Sequence, residues 1–140
     1  MYDVTATGEL LIDFTRNGLS EQNNRIYEAN PGGAPCNVLA MLGKVGEDKF
    51  GKLLKNTITE QKIDAAGLIL DPNAKTTFAF VDNDETGDCS FSFYRKPGAD
   101  MMLREDEVNY ELINNCCIFH FGFLSVTDDP VKLAFFLPVL

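Results

Sequence analysis

The sequence has one histidine, His120, and four cysteines, Cys36, Cys89, Cys116 and Cys117, none of them in a C-x-x-C arrangement. The usual zinc-ligand spacings are therefore excluded, and thiols in a reducing cytoplasm are the simplest expectation. Basic residues are also scarce. Twelve Lys and Arg stand against 21 Asp and Glu, for a formal charge of −9. A nucleic-acid partner, which needs clustered cations, is not expected. No apolar run approaches the roughly 20 residues of a membrane span, and the N-terminus lacks the basic-then-apolar layout of a secretion signal. Repeats, low-complexity tracts and linkers are missing too. What is present is a 140-residue chain, 45% hydrophobic and 24% charged, the size and composition of one domain able to bury a core.

The most informative stretch is Asn30-Pro31-Gly32-Gly33-Ala34-Pro35-Cys36-Asn37. Two adjacent glycines allow positive φ and let a ligand lie directly against the main chain. Pro35 stands where a first helical turn would start, and Asn37 offers a donor and an acceptor at the mouth of the loop. The pattern suits a cradle for a polyhydroxylated ligand; on spacing alone an ordinary Gly/Pro turn before a helix accounts for it more simply.

Tyr2 to Phe14 reads as strand interrupted at Gly8, with Asp13 either at a solvated edge or on a ligand. Asn17-Gly18 signals a turn, and Arg25 to Ala29 a short returning strand. Val38, Leu39, Met41 and Leu42 have helical composition, cut short by Gly43-Lys44-Val45-Gly46. From Asp48, a plausible N-cap, Phe50, Leu53, Leu54, Thr57 and Ile58 share one helical face. Gly46 to Lys52 imitates a phosphate-binding P-loop, but Leu53 stands where Ser or Thr must hold Mg²⁺, and the resemblance is discarded. Thr76–Val81 and Cys89–Tyr94 form a hairpin across an acidic loop. Phe91, Phe93 and Arg95 share one of its faces, where Arg95 either reaches into a ring-shielded pocket or snorkels outward. Arg104–Asn114 reads as one helix with acidic residues in its first turn. Cys117 to Leu124 reads as a strand buried on both faces, with His120 a hydrogen-bonded core residue rather than a base. Asp129-Pro130 opens a last helix. The element order implies α/β layering with a hairpin set apart from the main sheet.

Several of these motifs, in this order, resemble the N-terminal portion of the ribokinase-like (phosphofructokinase-B type) carbohydrate kinases, the fructokinase branch most closely. They are Gly8-Glu9-Leu10-Leu11-Ile12-Asp13-Phe14, the glycine loop from Asn30 to Asn37, and Gly43-Lys44-Val45-Gly46 with Asp48 and Phe50-Gly51. Ser90 to Arg95, Pro97-Gly98-Ala99-Asp100, and Phe119-His120-Phe121-Gly122 with Leu124-Ser125 complete the set. The resemblance implies an α/β, doubly wound ribokinase-like sheet, incomplete here, with a small β-lid from segments near residues 13–29 and 76–95. Residues 1–140 would form the N-terminal part of one sugar kinase domain. It implies transfer of the ATP γ-phosphoryl group, with Mg²⁺, to a sugar hydroxyl of a fructose-like ketose. Asp13, Gly32, Gly33, Asn37 and Arg95 are then the expected sugar-binding residues. No metal ligand is expected on this chain. The implied partners are a small sugar and a second copy through the β-lid, with no nucleic acid or membrane.

The sequence departs from that pattern in two ways. The remainder of the first helix and a core strand are expected to be missing between Leu42 and Gly43, which would break the sheet. The family's Gly-Ala-Gly-Asp motif, which supplies the catalytic aspartate, does not occur in these 140 residues. Gly98-Ala99-Asp100 belongs to a lid-side turn, and Asp100 is not assigned as a base. The expectation is a sugar-binding stretch without turnover, or else an interaction module with no chemistry.

Overall fold

The computed structural model describes residues 1–33, 40–83, 88–122, 124 and 128–136. The chain leaves β1 (Tyr2–Thr7) through a bend at Gly8–Leu10 and enters β2 (Leu11–Leu19). There follow β3 (Arg25–Gly32), β4 (Ala40–Gly46), α1 (Lys49–Glu60) and β5 (Asp64–Asp71). Next come β6 (Phe78–Asn83), β7 (Cys89–Tyr94), and two 3₁₀ turns at Ala99–Met102 and Glu105–Glu107. A short α2 (Tyr110–Asn114), β8 (Cys116–Phe121) and α3 (Val131–Phe136) close the order. The strands form two sheets. The first is all parallel, in order β5-β4-β1-β8. The second, in order β3-β2-β6-β7, is antiparallel at both edges and parallel between β2 and β6.

The main core lies where the two sheets meet α1. Leu10, Ile12, Met41, Val45, Leu54, Ile58, Ile63 and Leu68 are buried together there. Asp48 begins the helix as expected: its Oδ1 accepts from the Phe50 and Gly51 N–H groups at 3.0 and 2.9 Å. The same carboxylate accepts from the N–H and hydroxyl of Thr76 at 3.0 and 2.8 Å, tying the start of α1 to the approach to β6. The buried helix face is Gly51, Leu54 and Ile58; Leu53, expected on it, is exposed. Lys52 points outward as well, so the P-loop imitation is part of an amphipathic helix.

The expected loss of a core strand is overturned. Ala40 to Gly46 is a strand, buried along its whole length, paired with β1 on one side and β5 on the other. The helical composition of Met41-Leu42 yields to ladder partners on both sides, as tertiary context overrides propensity. Lys44 lies in this strand and is 4% exposed. Its ammonium meets Asp71 Oδ2 at 2.9 Å, the Glu107 carboxylate at 2.8 Å and the Met102 carbonyl at 3.2 Å. Three N–H groups thus have three acceptors, the condition for keeping a buried cation.

Other expectations are corrected. The turn signalled by Asn17-Gly18 is an irregularity inside β2, with Gly18 at φ +79°. The reversal comes later, where Asn23 takes φ +62° and the Ser20 N–H donates to the Asn24 carbonyl. β5, where no strand was expected, pairs with β4 through Gly46↔Asp71. The single helix expected over 104–114 is split. The Glu107 carboxylate folds back onto the Arg104 N–H, and Asn109 caps a new helix by accepting from the Glu111 N–H. β8 is an edge strand, largely exposed, not one buried on both faces; Ile118 is 60% exposed and His120 lies on the surface.

Candidate functional site

The two faces of the second sheet differ in chemistry. Pairing of Phe14 with Phe80 and of Phe78 with Tyr94 puts the rings on one side. Phe14 stacks on Phe80 at 5.0 Å, and Phe50 of α1 meets Phe14 and Phe78 edge-on at 5.8 and 4.9 Å. Tyr27 and Tyr94 complete this cluster against Phe80. With period-two alternation, the residues between these rings face the other way. One row across that second face reads Asn30, Asp13, Ala79, Phe93.

Asp13 is half-buried on this face, and burial raises its carboxyl above the ordinary 3.8. Its side chain lies over the α-carbon of Gly32, where a Cβ would fall 2.0 Å from Asp13 Oδ2. Only glycine tolerates that approach. Gly33 follows at φ +110°, a conformation that favours glycine. Asp13, Gly32 and Gly33 are therefore brought to one place, where a carboxylate stands beside bare backbone. Asn37, the amide expected to complete the group, lies outside the described residues.

Arg95 follows β7 on the same face as Phe93, at the opposite edge of the sheet from Gly32. Asp13 and Phe93 stand two strands apart, roughly 10 Å at the usual interstrand spacing. Phe93 and Arg95 line an open pocket of about 750 Å³ with Lys96, Pro97, Met101 and Asp128. Neither Asp13 nor Gly32 lines it. Arg95 is engaged: its Nε donates to Asp100 Oδ2 at 2.7 Å and its Nη1 to the Leu124 carbonyl at 3.0 Å. Asp100, treated in the sequence as an ordinary turn residue, is the partner that sequence reasoning missed. The available signal was a carboxylate five residues after the arginine, across a Pro-Gly turn.

Chemically, this face can accept hydrogen bonds from hydroxyls at Asp13 and stack a ring on Phe91 or Phe93, whose planes lie 15° apart. Among the described residues, no three His, Cys, Asp or Glu side chains are grouped to hold a metal ion. No helix among them is long and apolar enough to cross a membrane.

Comparison with known proteins gives a consistent picture. The family described as "pfkB family carbohydrate kinase" matches residues 1–136. "Probable fructokinase-6, chloroplastic" of Arabidopsis thaliana is 41% identical over 143 residues, covering 94% of this chain and 37% of that protein. The crystal structure of fructokinase from Xylella fastidiosa with bound ATP superposes with a TM-score of 0.87 at 30% identity, over 98% of this chain and 47% of that one. A fructokinase double mutant from Vibrio cholerae O395, bound to fructose, ADP and potassium ion, gives 0.81 at 28% identity, over 99% and 46%. The fold is that of the ribokinase-like sugar kinases, and the chain spans less than half the length of the curated relatives it matches.

Proposed function

Because the chain belongs to the pfkB family of carbohydrate kinases, we propose that it supplies the sugar-recognition side of an ATP-dependent kinase acting on a fructose-like ketose. The observation that carries this reading is the Asp13 carboxylate lying against the bare α-carbon of Gly32, on the face of the second sheet opposite the Phe14, Phe78 and Phe80 rings. A carboxylate accepts from two vicinal hydroxyls at once, and backbone without a Cβ lets the sugar approach closely. Gly33 follows in that loop, the Asn37 amide is the further sugar ligand in this reading, and Arg95 closes the far end of the site. The segments 13–29 and 76–95 act as the lid, excluding water from these contacts. The setting is cytoplasmic in this reading, in keeping with Cys89, Cys116 and Cys117, none of which is in a disulfide.

ATP and Mg²⁺ belong to the reading through the family, and when bound they supply the phosphoryl group and its charge neutralisation. Among the described residues no three His, Cys, Asp or Glu side chains are grouped for a metal ion, and Lys52, the P-loop imitation's lysine, points into solvent on α1. By themselves the 140 residues are expected to bind fructose without turnover, since phosphoryl transfer depends on positioned donors and metal. Calorimetry with fructose tests the first part, with the heat lost in Asp13→Asn. A coupled ADP-release assay with fructose, glucose, ribose and 2-keto-3-deoxygluconate tests the second, and fructose-dependent turnover overturns it.

A second reading rests on a separate observation. β7 is an exposed edge strand carrying Phe91 (56%), Phe93 (45%) and Tyr94 (65%). Such an edge can pair with a second copy, making the chain an interaction module or dimer. Sedimentation showing self-association without any fructose heat favours that reading.

A further inference from the structure

Asp100 is 3% exposed, inside the 3₁₀ turn that follows β7. Its oxygens divide their partners. Oδ1 accepts the hydroxyl of Thr77, itself buried, while Oδ2 accepts Arg95 Nε at 2.7 Å and lies 2.7 Å from Nη2. The turn is closed so tightly that a Cβ on Gly98 would fall 1.9 Å from Thr77 Oγ1 and 2.6 Å from Asp100 Oδ1. The backbone there admits only glycine because the carboxylate and hydroxyl occupy the space.

The guanidinium is thereby set in orientation. Nε is held by Asp100 and Nη1 by the Leu124 carbonyl, while Nη2 is buried and makes no hydrogen bond despite its ion pair with Asp100. Arg95 is a wall of the pocket bounded by Phe93, Met101 and Asp128. We propose that Asp100 is a positioning residue: it fixes the plane of the Arg95 guanidinium at the wall of this pocket, so that Arg95 meets a hydroxyl or carbonyl oxygen of the sugar. Asp100 touches no substrate and acts through Arg95, while Thr77 occupies its other oxygen. This inference rests on the sugar-binding reading given above.

The test is a double-mutant cycle read by fructose calorimetry on the 140-residue chain. Asp100→Asn keeps the shape and removes the charge, and affinity should fall roughly ten- to a hundredfold, the range for a hydrogen bond to a charged group. In an Arg95→Gln background the same change should produce no further loss. An equal loss in both backgrounds, or none in either, overturns the proposal. NMR of the Arg95 Nε–H supplies a readout independent of sugar: slow solvent exchange in the parent, lost in Asp100→Asn and kept in Thr77→Val. An unchanged Nε–H signal in Asp100→Asn refutes the positioning claim by itself. Absence of fructose heat from the parent chain, with the Nε–H result as expected, refutes the sugar reading and with it the ligand contact, while Asp100's hold on Arg95 stands.

Discussion

The two faces of the second sheet are built from the same four strands and serve different ends. On one, Phe14, Phe78 and Phe80 interlock with Phe50 of α1, leaving rings 4.9 to 5.8 Å apart. On the other, no described element packs over Phe91 and Phe93, which remain about half exposed beside Asp13 and Asn30. Alternation alone therefore does not say which aromatic residues form a core. A face is core where another element covers it, and a binding surface where none does.

The comparison can be broken most directly by truncating one ring on each face. Phe14→Ala should cost about 3 kcal/mol in urea denaturation, whereas Phe93→Ala should leave the midpoint almost unchanged and weaken fructose binding. Equal destabilisation by both would show the faces to be alike. The next effect belongs to the join between the sheet and α1. Burial tends to raise the Asp48 carboxyl, but hydrogen bonds from the Thr76 and Gly51 N–H groups, the Thr76 hydroxyl and the Phe50 N–H hold it below the ordinary 3.8. Its folded-state value is depressed, so the stabilisation is complete above the unfolded value and is lost as pH falls through the folded one. Asp48→Ala should cost about 1–2 kcal/mol at pH 7 and less at pH 2, measured by denaturation at both.

A smaller effect of opposite sign is expected at Asp13. Burial raises its carboxyl, so the folded state favours the protonated form; the relative stabilisation is full below 3.8 and disappears as pH rises through the folded value. Asp13→Asn should therefore raise the melting temperature slightly at pH 7 while abolishing fructose heat. A fall in both would show Asp13 to be structural. Arg104, 58% exposed in its pairs with Asp106 and Glu107, marks the small end of the scale. Arg104→Ala should leave melting and binding unchanged within error, because exposed ion pairs contribute little.

Much of this was legible in the residues. Asp48 followed by an apolar face, the β-branched and aromatic hairpin strands around residues 76–94, and Asp129-Pro130 before α3 each declared their element locally. β4 was not legible, because Ala40 to Gly46 owes its conformation to β1 and β5 on either side and not to its own propensities. β5 was hidden for a related reason: Asp64-Ala65-Ala66-Gly67 has little strand preference, and pairing with β4 supplies it. β8 misled in the reverse direction. Its apolar text suggests burial, but it is the last strand of its sheet, and position in the order decides exposure. At the candidate site, Asp13 with Gly32 followed from motif order, while the hold of Asp100 on Arg95 depends on how a turn closes, which spacing does not reveal.

The double role of Asp48 carries a mechanical consequence. One carboxylate caps α1 and also grips Thr76, two residues before β6, while Phe50 wedges between Phe14 and Phe78 at the same end. The second sheet is riveted to the body at its root, and among the described residues no such tie recurs toward Leu19 and Asp82. Any rocking that admits a ligand has its fulcrum at those rivets, and the displacement grows with distance along the strands, as at the free end of a cantilever.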